Sequence, residues 1–252
     1  MAASAKKSPT SKKTATPLKA PSTSPATLTI DRVSEPVEDY LKAIYDLAGK
    51  SGTASTNDVA ARLNVAAASV TGMIRRLASQ GLLEYERYRG VRLSETGRVV
   101  ALRTIRRHRV IETYLTEVLG YPWDRVHDEA ERLEHAASDE LVDRMAASLG
   151  NPTSDPHGAP IPTADGQMDE RRHQTLADLD IGTRARMVRV SDKNPGLLRY
   201  LAEIDLTPGT EVQVLARAPF DGPITLQVGD TEPVVGQGLA VQVLVEEVQD
   251  ET

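Results

Sequence analysis

Four prolines fall within residues 150–167, GNPTSDPHGAPIPTADGQ. Proline lacks an amide hydrogen and holds φ at about −65°, so neither a helix nor a central strand runs through such a segment. It separates two textures. Ahead of it, apolar residues recur with a helical period; beyond it, residues 184–248 mostly alternate. The chain must therefore join a helical body to a β domain through an irregular connection.

The helical part begins with Val37, Leu41, Ile44 and Ala48, one stripe of a helix. STND starts a second helix, with Ser55 as cap and Asp58 three residues on. It carries Val59, Ala60 and Leu63, and Asn64 suits a left-handed stop. A third helix is predicted over 67–80, with Val70, Met73, Ile74 and Leu77 inward and Gly81 at its end, although Ala66-Ala67-Ala68 offers no capping side chain. LLEYERYRGVRL then alternates around Arg89-Gly90 as a short hairpin. Short helix, tight turn, helix and hairpin make a winged helix-turn-helix, whose second helix matches the width of the DNA major groove.

On that helix Ala67, Ala68, Thr71, Gly72, Arg75 and Arg76 point outward. Thr71 suits bases or phosphates, and the alanines suit thymine methyls. Gly72 costs about 1 kcal/mol relative to alanine inside a helix, a cost that close approach to DNA or to a neighbouring element explains. Arg87, Arg89 and Arg92 on the wing suit phosphates, which set register without reading sequence. The same elements also occur in protein-interaction modules; their order and the basic hairpin favour DNA.

Three more helices are predicted: from Ser94 to about Leu119, stopped by Gly120; from about Pro122 to Ala136; and from about Ser138 to Leu149. The second contains VHDEAERLEH, residues 126–135, with two histidines and four carboxylates. At about 100° per residue His127, Glu131, Glu134 and His135 share an arc, with Asp128 at its edge and Glu129 pointing away. His108 and Glu112 share a face of the preceding helix, and Asp39 is available on the first. Imidazole nitrogen with carboxylate oxygen suits a divalent first-row metal. A single His/Glu pair four apart is commonplace. Seven such groups are not, because clustered carboxylates repel unless a cation sits among them. Catalytic patterns fit poorly. The inverted zinc-protease motif needs a histidine where Glu131 stands, the Glu-x-x-His pair of di-iron bundles is missing, and no Ser-His-Asp set or glycine-rich phosphate loop is present. No enzymatic activity is expected.

The chain has no cysteine, no apolar run near the ~20 residues of a membrane span and no apolar leader core. A cytoplasmic protein without a membrane partner is the expectation. Its net charge of −6 is lopsided. Residues 1–33, rich in Ala, Ser, Thr, Lys and Pro, carry +5 and suit a disordered basic tail that either skims phosphates or solvates the protein. Residues 34–98 carry +1, and those from 99 onward −12. A polyanion is thus met by the front of the molecule. Past the proline-rich loop a short polar helical segment precedes 184. VQVLA, ITLQV and AVQVLVEEV are then strands, with Pro-Gly and Asp-Gly turns and a helix in LLRYLAEI. This part suits a small barrel.

VEDYLKAIYDL, ASVTGMIRRLASQGLLEYERYRGVRLSETG, RRHRVIETYL, VHDEAERLEHAASDEL and DPHGAPIP together resemble the diphtheria-toxin-repressor family of metal-dependent transcription regulators. They resemble in particular its three-domain, manganese-sensing (manganese transport regulator) branch, over about residues 35–250. The resemblance implies an α+β protein: a winged helix-turn-helix over 34–98, a helical metal-binding and dimerisation domain over 99–149, a linker over 150–183 and an SH3-like, FeoA-type small β-barrel over 184–252. It implies a homodimer on double-stranded operator DNA, with half-sites about a helical turn apart or a multiple of it. It places a primary metal site at Asp39, Glu131, Glu134 and His135, and an ancillary one at His108, Glu112 and His127. Iron-sensing members carry methionine and cysteine in place of Asp39 and Glu131. Oxygen ligands at both favour Mn²⁺, with Fe²⁺ or another first-row ion as the alternative. A structural metal site in a protein-interaction module is the reading from another class.

Three departures matter. Lys42 stands where two-domain manganese regulators have a glutamate. The barrel positions that donate ligands in three-domain members align with Asn194 and Leu197, and Leu197 cannot bind a metal, which leaves Asp192, Asn194 or water. Ala68 and Gly72 replace a proline and a glutamine or lysine, so the operator sequence is not inherited.

Overall fold

Ser55, Ser94 and Ser138 each precede a helix, and in the computed structural model each hydroxyl accepts a backbone N–H from the first turn, from Asp58 (3.0 Å), Gly97 (3.0 Å) and Leu141 (3.2 Å). These caps satisfy donors that a helix start leaves unpaired. They fix the starts of α2 (Thr56–Leu63), α4 (Glu95–Glu117) and α6 (Asp139–Ser148). The structure describes residues 1–2, 33–49, 52–86 and 90–248. Of the tail expected over 1–33, only 1–2 and 33 are among them; Arg87 and Arg89 lie outside. Val33–Thr252 is one compact unit, and every contact below lies within it.

Helix α1 (Glu35–Ala48) has Pro36 in its first turn beside acidic Glu35 and Glu38, as the helix dipole favours. Asn64 closes α2 with φ 52°. Helix α3 (Ala67–Ser79) starts without a side-chain cap and buries Val70, Ile74 and Leu77. Strands β1 (Leu83–Glu86) and β2 (Gly90–Leu93) pair antiparallel from Leu83 with Leu93 to Glu86 with Gly90. Gly90, expected in the turn, is thus paired with Glu86 inside the strand. Gly90 is needed in the strand itself: its φ is +90°, and a β-carbon there would lie 2.7 Å from the Ala54 carbonyl oxygen.

Helix α4 is the spine, buried from Gly97 to Leu115 and packed against α1, α5 and α6. Helix α5 spans only Val126–Leu133, so the helix expected over 122–136 is shorter at both ends. At its start the Arg125 N–H bonds the Pro122 carbonyl in a turn, and at its end the Ala136 and Ala137 amides both return to Leu133. Glu134 keeps helical angles, and His135 falls in the turn that follows.

Residues 150–167 hold only an isolated bridge between Ser154 and Pro160. The polar helical segment expected next is absent. In its place come β3 (Gln174–Thr175) and a one-turn 3-10 helix, Leu176–Asp178, locked because Asp178 accepts the Thr175 amide and hydroxyl. Strands β4 (Arg184–Val190), β5 (Glu211–Arg217), β6 (Ile224–Val228), β7 (Val234–Val235) and β8 (Val243–Glu247) complete an antiparallel sheet ordered β3-β8-β4-β5-β6-β7. Bulges in β4 and β5 bend it around a core that includes Met187, Leu201, Val214 and Ile224. Helix α7 (Pro195–Glu203) is inserted early, and α8 (Gln237–Ala240) delays the last strand to Val243.

The proline-rich loop joins this small barrel to the body. The Val190 amide bonds the His157 carbonyl at 2.9 Å, and Trp123 packs on the barrel core. Gly158 has φ +81°, and a β-carbon there would come within 1.8 Å of the Val188 carbonyl oxygen, so only glycine admits this approach. No helix among the described residues is long and apolar enough to cross a membrane.

Candidate metal centre

Helices α1, α4 and α5 bring their ionisable side chains to one place. Asp39 and His135 lie 3.0 Å apart, and the same His135 nitrogen, Nε2, is 3.5 Å from Glu134 Oε1. The other ring nitrogen, Nδ1, bonds Glu38 Oε2 at 2.7 Å. Glu38 Oε1 in turn accepts from Arg107 at 3.0 Å, and Arg107 also binds Asp139. A buried relay from α6 through α4 and α1 thus orients the imidazole, the arrangement that usually backs a metal-binding histidine. Beside it His108 Nδ1 lies 2.5 Å from Glu134 Oε2 and 3.7 Å from Glu131 Oε1. Lys42 enters the same space, with Nζ 2.6 Å from Glu131 and 2.9 Å from each oxygen of Glu134.

A second group adjoins the first through His108. Its Nε2 lies 3.0 Å from Glu112 Oε1 and 3.1 Å from His127 Nδ1, which is 3.3 Å from the same Glu112 oxygen. From the barrel, Asp192 Oδ2 reaches His127 at 3.2 Å. On the other side of Glu112 stand Asp155 and His157, all three buried, with one ligand atom of each within 4.8 Å of the others. Two atoms there have no hydrogen-bond partner: Glu112 Oε2 and His157 Nδ1, 3.9 Å apart. His157 is held from behind, since its Nε2 bonds the Trp123 carbonyl at 2.8 Å. Asp155 Oδ1 accepts the His157 and Ala159 amides. A cavity of about 420 Å³ is lined by Lys42, His108, His127, His157 and Asp192.

The protonation of these groups follows from their neighbours. Burial opposes charge on His108, but hydrogen bonds to Glu112 and Glu134 outweigh it and push the ring up to about 9. Burial is likewise overcome at His127, where Asp192 and Glu112 raise it to about 10. Burial would lift Glu112, yet bonds from His108 and His127 bring it down to about 2. Asp192 falls well below the carboxylate range, because His127 outweighs its burial. Against the penalty of burial, Glu134 and Glu131 hold the Lys42 ammonium above its ordinary value. Asp155 moves up, through burial first and the Glu112 charge second. The carboxylates are therefore balanced by protons and a lysine. A divalent ion fits this donor set: it is nitrogen and oxygen only, and it includes two orphaned buried atoms that a cation would satisfy.

Residues 32–91 match the iron dependent repressor N-terminal DNA binding domain, 94–163 the iron dependent repressor metal binding and dimerisation domain, and 174–247 the FeoA domain. The diphtheria toxin repressor of Corynebacterium diphtheriae is 30% identical over 221 residues, which cover 83% of this chain and 96% of that protein. The chain belongs to the iron-dependent repressor family. The iron-dependent repressor IdeR of Mycobacterium tuberculosis is 37% identical over 133 residues, 53% of this chain; the match spans only 58% of that repressor's length. A solved manganese-dependent transcriptional repressor in complex with manganese superposes with a TM-score of 0.77 and 40% identity, covering 84% of this chain and all of that one.

The structure of this iron-dependent-repressor-family chain brings all seven residues singled out in the sequence into one neighbourhood: Asp39, Glu134 and His135 converge, Glu131 gathers with His108 and Glu134 instead of with Asp39, and His108, Glu112 and His127 converge with Asp192. Of the two barrel candidates Asp192 reaches the site. Asn194 does not, because its side chain caps α7 by accepting the Leu197 amide. Lys42 was singled out as a departure but not as a partner of the site, and Asp155 and His157 were not singled out. Lys42 lies one turn beyond Asp39 on α1, a spacing that was open to view. Asp155 and His157 sit in the proline-rich loop, where only the Asp-Pro-His-Gly string marked them.

The recognition face is also in place. Ala67, Ala68, Gly72, Arg75 and Arg76 are exposed on α3, and Thr71 is half-buried with its hydroxyl donated back to the Ala67 carbonyl. Nothing within 4 Å would meet a β-carbon at Gly72, so internal packing does not require the glycine. Arg92 on the wing is paired with Glu84 at 2.6 Å.

Proposed function

We propose that the protein is a metal-dependent transcriptional repressor that binds operator DNA as a homodimer when loaded with Mn²⁺ and so controls metal-transport genes. The observation that carries this is the convergence of imidazole and carboxylate groups from α1, α4, α5 and the barrel on two adjoining pockets behind a winged helix. Asp39, Glu131, Glu134 and His135 would hold one ion, and Glu112, His127, Asp155, His157 and Asp192, with His108 between the pockets, would hold a second. A divalent ion supplies there the positive charge that lets these carboxylates stay close without protons. Cysteine-free oxygen and nitrogen donors favour Mn²⁺. Fe²⁺ is the second reading, favoured by the iron-dependent relatives from Corynebacterium and Mycobacterium.

The residues themselves do the coupling. Asp39 lies on the helix that packs on α2, which in turn packs on α3, whereas Glu134 and His135 belong to the helical body. Closing the two around one point sets the angle at which α3 is presented. Ala67, Ala68, Thr71 and Gly72 then face base edges, while Arg75 and Arg76 face phosphates. Exposed Val118, Leu119, Tyr121, Leu133 and Leu141 give the body an apolar surface for the second subunit. A DNA-binding repressor of this kind works in the cytoplasm. To test the reading, a duplex is selected from a randomised pool with Mn²⁺, and its affinity is measured by fluorescence anisotropy. Binding should depend steeply on Mn²⁺ and fall to the random-duplex level in chelator; equal affinity in chelator would overturn the proposal.

A further inference from the structure

A lysine has three N–H donors, and Lys42 directs its own at two groups that would hold the primary ion: Glu131 at 2.6 Å and both oxygens of Glu134 at 2.9 Å. We propose that Lys42 is a tethered counter-cation. It holds the metal-free pocket together and competes with the incoming divalent ion for Glu131 and Glu134, and so sets the metal concentration at which the protein loads. This rests on the metal-dependent reading above.

Glu134 has no exposed side-chain surface, so without a metal its charge needs a partner, and Lys42 is the fixed cation that reaches both of its oxygens. A divalent ion on Glu134 and an ammonium 2.9 Å from both of its oxygens would be two cations in one buried pocket, and their repulsion sets the lysine and the ion in competition. Because the lysine is carried on α1, it is present at high effective concentration and never diffuses away. A ligand that must displace such a competitor binds more weakly by the fraction of time the pocket is free. The released ammonium has somewhere to go. Asp46 lies four residues on along α1, lines the same 420 Å³ cavity, and is held only at 3.6 Å by Arg62. A metal-free regulator of this kind keeps α1 attached to the body, so metal arrival exchanges one cation for another instead of assembling the pocket from loose parts.

Three variants test this without DNA: Lys42→Met, Lys42→Arg and Asp46→Asn. Mn²⁺ affinity is measured by titration calorimetry and the melting temperature in chelator. Lys42→Met should bind Mn²⁺ about tenfold tighter or more, yet melt earlier than wild type in chelator. Lys42→Arg, which keeps the charge, should restore both properties. Asp46→Asn should weaken binding about twofold, the worth of one exposed helical pair. If Lys42→Met does not fold without metal, Lys42→Gln carries the affinity measurement. Wild-type protein that takes up no Mn²⁺ overturns the repressor reading and the lysine's role with it. Wild type that binds while Lys42→Met binds no tighter, or binds more weakly, overturns the lysine's role alone.

Discussion

The two pockets share His108 but meet the cost of buried charge in opposite ways. Around Glu134 every oxygen has a partner, because Lys42 supplies a cation from within the chain. Around Glu112 one carboxylate oxygen and the facing His157 nitrogen have none. The first pocket is satisfied before any metal arrives, and the second is not. A buried polar atom without a partner costs about 1–3 kcal/mol, so the second pocket stands to gain more from an ion. The difference teaches that a cluster of carboxylates is not by itself a demand for a metal. The demand is read from what remains unpaired after the protein's own cations are counted.

The largest effect should come from Glu134→Ala, which strips Lys42 of two contacts and leaves a nearly buried ammonium facing Glu131 alone. Breaking a buried pair in this way costs about 3–5 kcal/mol, so the chelator melting temperature should fall sharply and the primary ion should be lost. Titration calorimetry should still find one Mn²⁺ per chain, held by the second pocket. Loss of both ions would break the comparison by showing that the pockets are one site.

His157→Gln attacks the other side. Its amide can still donate to the Trp123 carbonyl while the orphaned ring nitrogen disappears. Second-pocket affinity should drop by about 10–100-fold, with the metal-free melting temperature nearly unchanged. A large loss of metal-free stability would mean that His157 is a strut between loop and body, and the contrast with Glu134 would lose its meaning.

These two residues also mark what a sequence makes legible. Local rules served well. Ser55, Ser94 and Ser138 cap helices, Asn64 turns left-handed, and His108 and Glu112 share a helix face, because each depends on neighbours a few positions away. The loop His157 has no period to betray its direction, and its partner Glu112 is 45 residues distant. Lys42 stood out only as a departure from the glutamate of two-domain manganese regulators; its partners Glu131 and Glu134, 89 and 92 residues on, are brought against it by chain closure. His135 was expected on a continuous helix; it reaches Asp39 from the turn after α5, because Ser138 starts a new helix three residues later. Asn194 looked like a ligand and is a helix cap, since local hydrogen bonding claimed it first.

A smaller effect, with a definite sign, comes from pH. His108 and His127 are raised to about 9 and about 10 from an ordinary value of 6.5. Raised values mean that the folded state binds protons more tightly than the unfolded one. Their contribution is fully present below 6.5 and is lost as pH rises through 9 and 10. In chelator the protein should therefore melt lower at pH 10 than at pH 6.5. With Mn²⁺ the trend should weaken or reverse, since imidazole must shed its proton to bind a metal. A chelator melting curve flat across this range would show that the His108–Glu134 and His127–Asp192 contacts contribute little, and that Lys42 alone balances the cluster.

The smallest effect separates the barrel's charge from its pose. Arg199 pairs with Asp124 at 2.9 Å across the junction, but the arginine is more than half exposed, so the pair should contribute no more than about 0.2–1 kcal/mol. Asp192 crosses the same junction to His127 from a position only 27% exposed. Docking rests mainly on Gly158 against Val188 and on Trp123 against the barrel core, neither of which involves charge. Arg199→Ala should thus leave second-pocket Mn²⁺ affinity unchanged, while Asp192→Asn weakens it. If the two variants weaken binding equally, the second pocket depends on how the barrel is seated and not on the carboxylate it delivers, and the orphaned pair of Glu112 and His157 would have to hold the ion largely by themselves.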